Sequence, residues 1–84
     1  MDVYLTEQAE KQLGQIAKKD QERIAKKIRW FSKQENPLQF SKPIKGFAHV
    51  YRFRVGNYRL IFKVENMAIY IVHIEKRDSV YKTF

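Results

Sequence analysis

The sequence contains no cysteine, only three glycines and two prolines, and no long apolar run. Without cysteine the chain can form no disulfide and offers neither a thiolate nucleophile nor a cysteine-ligated zinc site. No apolar stretch approaches the roughly 20 residues that cross a bilayer, and residues 1–5 lack the basic and apolar regions of a signal peptide. We therefore expect a cytoplasmic protein that has no membrane partner.

The length and composition predict one folded, basic domain over residues 1–84. The chain has 84 residues, 44% of them hydrophobic, which is enough to build a single core. Its net charge is +8, and residues 1–45 and 46–84 contribute +4 each, so no basic tail holds the excess. A folded body of this charge attracts polyanions at long range. Net charge alone leaves a merely solubilising surface as an equal alternative.

The first half of the chain predicts a short strand followed by two helices. Residues 2–5 form the strand, Thr6 can cap the first helix, and Asp20 can cap the second. Asn36–Pro37 should end the second helix, because the residue before proline is pushed out of the α region. Two helices joined this closely form an αα-hairpin. Their buried stripes are Ala9, Leu13, Ile16 and Ala17 in the first and Ile24, Ala25, Ile28 and Phe31 in the second.

The second half changes to a two-residue rhythm. After a predicted loop at 36–47, two strands alternate apolar and basic residues on either side of a Gly56–Asn57 turn. A second turn at Glu65–Asn66 leads to a third strand at 68–75, which is apolar on both faces and should lie inside the sheet. The expected fold class is α+β: a short N-terminal strand, an αα-hairpin and a three-strand antiparallel meander, with the helices packed on one sheet face.

Strand alternation assigns the basic residues of the meander to one face. Aromatic residues such as Phe53 and Phe62 require burial against the helices, which forces Arg52, Arg54, Arg59 and Lys63 onto the opposite face. Arg77 follows the third strand with the parity of Ile69, Ile71 and His73, and could close the cluster. Clustered guanidinium groups repel one another, and they suit phosphate because each can donate two parallel hydrogen bonds.

The whole set predicts an RNA-binding surface, although a single arginine is more often a solvated residue whose stem covers apolar surface. Tyr81 is near enough to Arg77 in sequence to stack on a base or to bind a phosphate. Lys76 and Lys82 are further candidates for RNA contact. The two histidines, His49 and His73, are 24 residues apart with no obvious third ligand, so we expect no metal site and no cofactor.

Two segments resemble a known family. The run GFAHVYRFRVGNYRLIF at 46–62 is similar to the central block of RelE/ParE-superfamily toxins, and IEKRDSVY at 74–81 resembles the closing motif of the RelE branch. The resemblance implies a type II toxin–antitoxin toxin that cleaves mRNA in the ribosomal A site. Its partners would be a cognate antitoxin, the ribosome and mRNA. By position it implies that Arg59 contacts the scissile phosphate, Arg77 is the terminal catalytic arginine, Tyr81 stacks on the substrate base, and Arg52 and Arg54 are the paired basic residues.

The mechanism leaves the general base open. Guanidinium stays protonated, so arginines can stabilise developing charge but cannot readily take the proton of the 2′-hydroxyl. His73, His49 and Glu75 are candidate bases. For each of them the alternative is a purely structural role. Alignment of mRNA by the ribosome could also do most of the work. Two other functions stay open: a ParE-like inhibitor of DNA gyrase, and a non-catalytic RNA- or ribosome-binding module.

Overall fold

Residues 1–76 are described by a computed structural model, and they form two helices on one face of a five-stranded mixed sheet. The predicted α+β class is confirmed. In chain order the elements are β1 (Asp2–Leu5), α1 (Glu7–Gly14), α2 (Lys18–Ser32), a 3-10 helix (Pro37–Phe40), β2 (Lys42–Pro43), β3 (Val50–Val55), β4 (Tyr58–Glu65) and β5 (Ala68–Lys76).

The sheet order is β1-β5-β4-β3-β2. Strands β3, β4 and β5 form the predicted antiparallel meander. β1 pairs in parallel with β5, so β5 lies between two strands, as its two apolar faces indicate. The meander turns fall at Gly56–Asn57 and at Asn66–Met67, the second one residue later than predicted.

The sequence correctly predicts the residue that caps α1 but not the residue at the start of α2. Thr6 caps α1, and its hydroxyl accepts a hydrogen bond from the Ala9 amide at 3.3 Å. Asp20 does not cap α2, which begins two residues earlier with Ala17 at the capping position. Asp20 instead lies in the first turn, where its carboxylate still complements the positive end of the helix dipole. That favourable position explains why the sequence pattern resembled a cap.

The core lies between α2 and the inner face of the meander. Phe31 is 1% exposed and stacks on Phe53, with ring centroids 4.5 Å apart and an interplanar angle of 3°. Phe31 also contacts Phe62 edge to face at 5.6 Å. Leu60 and Phe62 are fully buried and Phe53 is 6% exposed, which confirms that these alternate residues of β3 and β4 face the helices.

The predicted loop at 36–47 contains more structure than expected. α2 ends at Ser32, four residues before Asn36, and Pro37 then opens the 3-10 helix, where its missing amide hydrogen is not needed. The two-residue strand β2 follows and pairs Lys42 with Arg52, which makes the sheet five-stranded. Elements of two and four residues are too short to show a periodic pattern, so the prediction of a plain loop was wrong here.

A β-bulge in β5 corrects the predicted parity of that strand. Phe62 pairs with Ile71 but Ile61 pairs with His73, so Val72 is an extra residue that shifts the register. Ile69 and Ile71 are fully buried on the helix side. His73 lies opposite Ile61 on the other side of the sheet, and therefore does not share a face with Ile69 and Ile71 as predicted.

Candidate functional site

The sheet face opposite the helices, which we call the open face, is organised in rows of directly paired residues. Arg54 of β3 lies opposite Arg59 of β4, and Arg59 lies opposite Glu75 of β5. Directly paired residues of antiparallel strands project from the same side of the sheet. The structure therefore brings two predicted arginines and one predicted carboxylate together in a single row, which we call the arginine row.

The neighbouring row continues the positive charge toward the edge of the sheet. It runs from Lys42 through Arg52 and Ile61 to His73. Arg52 is exposed and lies two residues from Arg54 on the same strand. Lys42 was not singled out from the sequence, because it joins this row only through the short strand β2.

Lys63 belongs to the open face but to a distant part of it. Its row joins Val50, Lys63 and Tyr70, and Tyr70 stacks on Tyr4 with ring centroids 5.5 Å apart. Lys63 lies four positions after Arg59, which corresponds to roughly 13 Å along the strand at about 3.3 Å per residue. Lys63 therefore cannot contact a phosphate that is held between Arg54 and Arg59, although it can extend the same charged surface.

No carboxylate forms an ion pair with an arginine in the described part of the chain. In residues 1–76 the carboxylates that lie within 4.0 Å of a basic side chain are Glu7, beside Lys11, and Glu75, beside the His73 ring, and neither contact includes an arginine. Arg52 and Arg54 are exposed and Arg59 is half-buried. The three guanidinium groups are thus available to an anion, and bringing them together is unfavourable until one binds.

A cleft of about 370 Å³ opens beside the arginine row, at the edge of β3 next to the start of β2. This volume lies within the roughly 300–1,000 Å³ of typical small-ligand sites. Four of its lining residues are cationic: Lys42, Arg52, Arg54 and Arg59. Phe40 and Ser41 of the preceding segment, together with Phe53, complete the lining. The sequence reasoning missed Phe40, which belongs to the 3-10 helix that it also missed.

Hydrogen bonds from α1 hold His73. The Oε1 atom of Gln12 accepts from the Ile74 amide at 2.7 Å, which turns the Nε2 amide of Gln12 toward Nδ1 of His73 at 3.0 Å. Gln8 Nε2 lies 3.3 Å from the same nitrogen. Because the Ile74 contact orients the Gln12 amide as a donor, Nδ1 of a neutral ring accepts from it, and the ring proton is then on Nε2, 3.9 Å from Glu75. This arrangement favours a structural role for His73 over that of a base.

The two remaining candidate bases lie at opposite ends of the sheet. His49 is exposed and precedes β3 with a positive φ of 61°. It lies five residues before Arg54, roughly 16 Å along an extended chain. Glu75 lies opposite Arg59, and its side chain is 25% exposed. Among the three candidate bases, Glu75 alone lies in the arginine row.

The remaining candidates lie at the end of β5 or after it in the sequence. Lys76 pairs with Tyr58, and so has the parity of the helix side rather than that of the open face. Arg77, Tyr81 and Lys82 lie outside the described residues, so their predicted roles stay predictions. Within residues 1–76, no three His, Asp or Glu side chains are grouped so that they could hold a metal ion. Neither helix of this part of the chain is long and apolar enough to cross a membrane.

Comparison with known proteins identifies the class of molecule to which this sheet and its arginines belong. Residues 3–81 match the family described as the ParE toxin of the type II toxin–antitoxin system parDE. The match covers most of the sequence, and the chain belongs to this toxin family. A search of curated proteins found no significant match.

Solved structures with the same fold include RelE toxins. A chain of the RelB–RelE antitoxin–toxin complex from Methanococcus jannaschii is 26% identical, with a TM-score of 0.77 over 96% of this chain and 98% of that one. The isolated E. coli RelE toxin is 15% identical, with a TM-score of 0.68 over 99% and 98% of the two chains. A chain of the chromosomal ParDE system from P. aeruginosa is 18% identical, with a TM-score of 0.72 over 90% and 95%. The predicted RelE-like resemblance and fold are confirmed.

Proposed function

We propose that this type II toxin is a ribosome-dependent endoribonuclease that cuts mRNA in the ribosomal A site and arrests translation. One observation carries the proposal: Arg54 and Arg59 lie directly opposite each other on the open face, beside a cationic cleft, with no carboxylate of residues 1–76 within 4.0 Å. Each guanidinium group can donate two parallel hydrogen bonds to phosphate oxygens, so two such groups side by side suit a phosphodiester.

The proposed cleavage needs three events at one phosphate. The ribose 2′-oxygen gives its proton to a base and bonds to phosphorus, while the bond from phosphorus to the 5′-oxygen breaks and that oxygen takes a proton from solvent water. The products are a 2′,3′-cyclic phosphate and a 5′-hydroxyl. Arg54 and Arg59 would stabilise the charge that develops on the phosphoryl oxygens, a contribution worth about 3–4 kcal/mol for a single well-placed donor. Arg52 would hold a neighbouring phosphate.

Proton transfer is assigned by position. Glu75 lies in the arginine row and has carboxylate oxygens that can accept a proton, whereas His73 is held by glutamines and His49 lies at the far end of β3. We therefore propose Glu75 as the proton acceptor, assisted by the alignment that the ribosome imposes on mRNA. By family likeness, Arg77 would add a third catalytic cation and Tyr81 a platform for the substrate base. Lys63 and Lys82 would add further RNA contacts, and Lys76 could add one only from the helix side, away from the arginine row.

The proposed function extends to partners and compartment. The Methanococcus jannaschii relative was solved as an antitoxin–toxin complex, and we propose a cognate antitoxin for this chain, with acidic residues that neutralise the open face. We further propose that residues 1–84 act as one toxin domain in the cytoplasm, where the ribosome and mRNA are found.

Primer extension on mRNA from a purified translation reaction tests the activity. We expect new 5′ ends at fixed positions within codons, and no cleavage of the same mRNA when ribosomes are omitted. Cleavage that is equally fast without ribosomes would refute the ribosome dependence. An absence of cleavage together with salt-sensitive RNA binding would indicate a non-catalytic binding module instead.

A second candidate function rests on the family match to ParE toxins and on the ParDE-like fold: inhibition of DNA gyrase. Purified gyrase and relaxed plasmid provide the test. We expect supercoiling to proceed normally at equimolar toxin. Inhibition at that ratio would replace the ribonuclease proposal.

A further inference from the structure

We propose that Phe40, supported by Trp30, is a stacking site for an unpaired nucleobase at the edge of the cationic cleft. Phe40 is 45% exposed although it is wholly apolar, and it lines the cleft together with Arg54 and Arg59. The inference deepens the proposed function, because it specifies the substrate as single-stranded RNA with at least one base turned out of its stack.

The ring of Phe40 is held in place by its neighbours. Trp30 of α2 contacts it edge to face, with centroids 4.9 Å apart and an interplanar angle of 64°. The ammonium group of Lys27 lies 4.1 Å from the centre of the Trp30 ring, a favourable cation–π contact. Trp30 can cover at most one face of Phe40, and 45% of the Phe40 surface stays exposed beside this contact. A supported but incompletely covered aromatic face is what a base needs for stacking.

Backbone hydrogen bonds fix the segment that carries Phe40. The Ser41 amide and hydroxyl both donate to the Leu38 carbonyl, at 3.1 and 2.9 Å, and the Gln39 amide donates to the Asn36 carbonyl at 3.3 Å. Pro37 is fully buried and anchors the start of the turn. Phe40 therefore does not project from a loose loop, and its position relative to β3 follows from the pairing of Lys42 with Arg52 two residues later.

Charge complementarity favours RNA as the occupant. A single-stranded nucleic acid presents phosphates and bases in alternation, and single-strand binding sites combine cations for the backbone with aromatic rings for the bases. The cleft combines four cationic residues with Phe40. Phe47 and Met67 are more exposed, at 66% and 78%, but neither lines the cleft. Of the two exposed phenylalanines of residues 1–76, Phe40 therefore lies beside clustered positive charge and Phe47 does not.

Binding of short RNAs that differ only in their bases tests the inference. A labelled tetraribonucleotide and an abasic tetramer with the same number of phosphates are titrated with the full chain, and fluorescence anisotropy gives each affinity. We expect Phe40→Ala to weaken binding of the base-containing RNA by about 5-fold to 150-fold, since stacking on an aromatic ring contributes about 1–3 kcal/mol per base. Binding of the abasic tetramer should stay within twofold.

Matched variants separate stacking from folding. Phe40→Tyr keeps an aromatic ring and should bind like the unmodified protein, whereas Phe40→Leu keeps apolar volume without a π face and should behave like Phe40→Ala. Phe47→Ala removes an exposed ring outside the cleft and should change neither affinity. Trp30 is the sole tryptophan, so its fluorescence should respond to the base-containing RNA more than to the abasic tetramer. Thermal unfolding of each variant confirms that it is folded.

Three results would overturn the inference: equal losses with both RNAs, unchanged RNA affinity in Phe40→Ala, or full affinity in Phe40→Leu. A Phe40 variant that loses the antitoxin but keeps its RNA affinity would assign the ring to a protein partner instead, and would also overturn it. The proposed function fails separately. If the toxin cleaves no mRNA on ribosomes but shows base-dependent binding through Phe40, the cleavage proposal is wrong and the stacking site stands.

Discussion

The two faces of the meander differ in the interactions that position their side chains. The inner face is held by contact, since Phe53 and Phe62 pack on Phe31 from α2 and leave almost no exposed surface. The open face is held by register alone, because Arg54 and Arg59 are neighbours only through the pairing of their strands. The comparison shows that one alternating pattern supplies both stability and a charged surface. Changes on the inner face should therefore affect folding, and changes in the arginine row of the open face should affect activity.

The largest expected effect is on the inner face. Phe31→Ala removes the ring that contacts both sheet phenylalanines, and should lower the free energy of unfolding by about 3–5 kcal/mol. Urea denaturation followed by circular dichroism measures the change. Phe47→Ala, which removes a largely exposed ring, should stay within about 0.5 kcal/mol. A loss below 1 kcal/mol for Phe31→Ala would show that α2 does not anchor the core.

On the open face, a substitution at Glu75 should reduce mRNA cleavage rather than stability. If Glu75 accepts the proton, Glu75→Gln should slow mRNA cleavage by about 10²-fold to 10⁴-fold, which is the usual contribution of a general base. His73→Ala should leave cleavage within about threefold while it lowers stability by about 1 kcal/mol, because it removes a hydrogen-bond partner of Gln12. Cleavage assays and urea melts on both variants give the answer. Full activity in Glu75→Gln would leave alignment on the ribosome to carry the proton step.

A smaller effect is expected at the turn that sets the register between β3 and β4. Gly56 has a φ of +58°, so Gly56→Ala should cost about 1–2 kcal/mol of stability through backbone strain. The added Cβ would also meet Arg23 Nη1 at 2.9 Å, but that atom ends a flexible side chain and can move. Gly14→Ala, at the end of α1 with no atom within 4 Å of the new Cβ, should instead raise stability by about 0.5–1 kcal/mol. Equal changes for both variants would contradict the role assigned to the turn.

Much of the fold follows from patterns that repeat. The two-residue alternation of β3 and β4 predicts which face holds Phe53 and which holds Arg52, and the structure confirms both. The double-sided apolar strand β5 correctly predicts a position inside the sheet. These predictions succeed because each pattern extends over six or more residues and is imposed by burial.

The features that the sequence did not predict depend on contacts between distant segments of the chain rather than on a local sequence pattern. The bulge at Val72 arises from the pairing of β5 with β4, and no local signal marks it. The short strand β2 forms because Lys42 pairs with Arg52 across the sheet. A strand of two residues is too short to show an alternating pattern in the sequence. Phe40 becomes a part of the site only through these tertiary contacts. Sequence reasoning therefore predicts the arginine row but not the aromatic edge of the cleft.

The most direct test of the central claim compares two cations on the open face. Arg59→Ala and Lys63→Ala each remove one positive charge from the same strand, about 13 Å apart by the strand rise. If the site is the arginine row, Arg59→Ala should slow cleavage on translating ribosomes by about 10²-fold to 10³-fold, while Lys63→Ala stays within about threefold and lowers the salt dependence of binding by about one charge. Equal rates for the two variants would show that net charge alone, and not convergence at one phosphate, accounts for the open face.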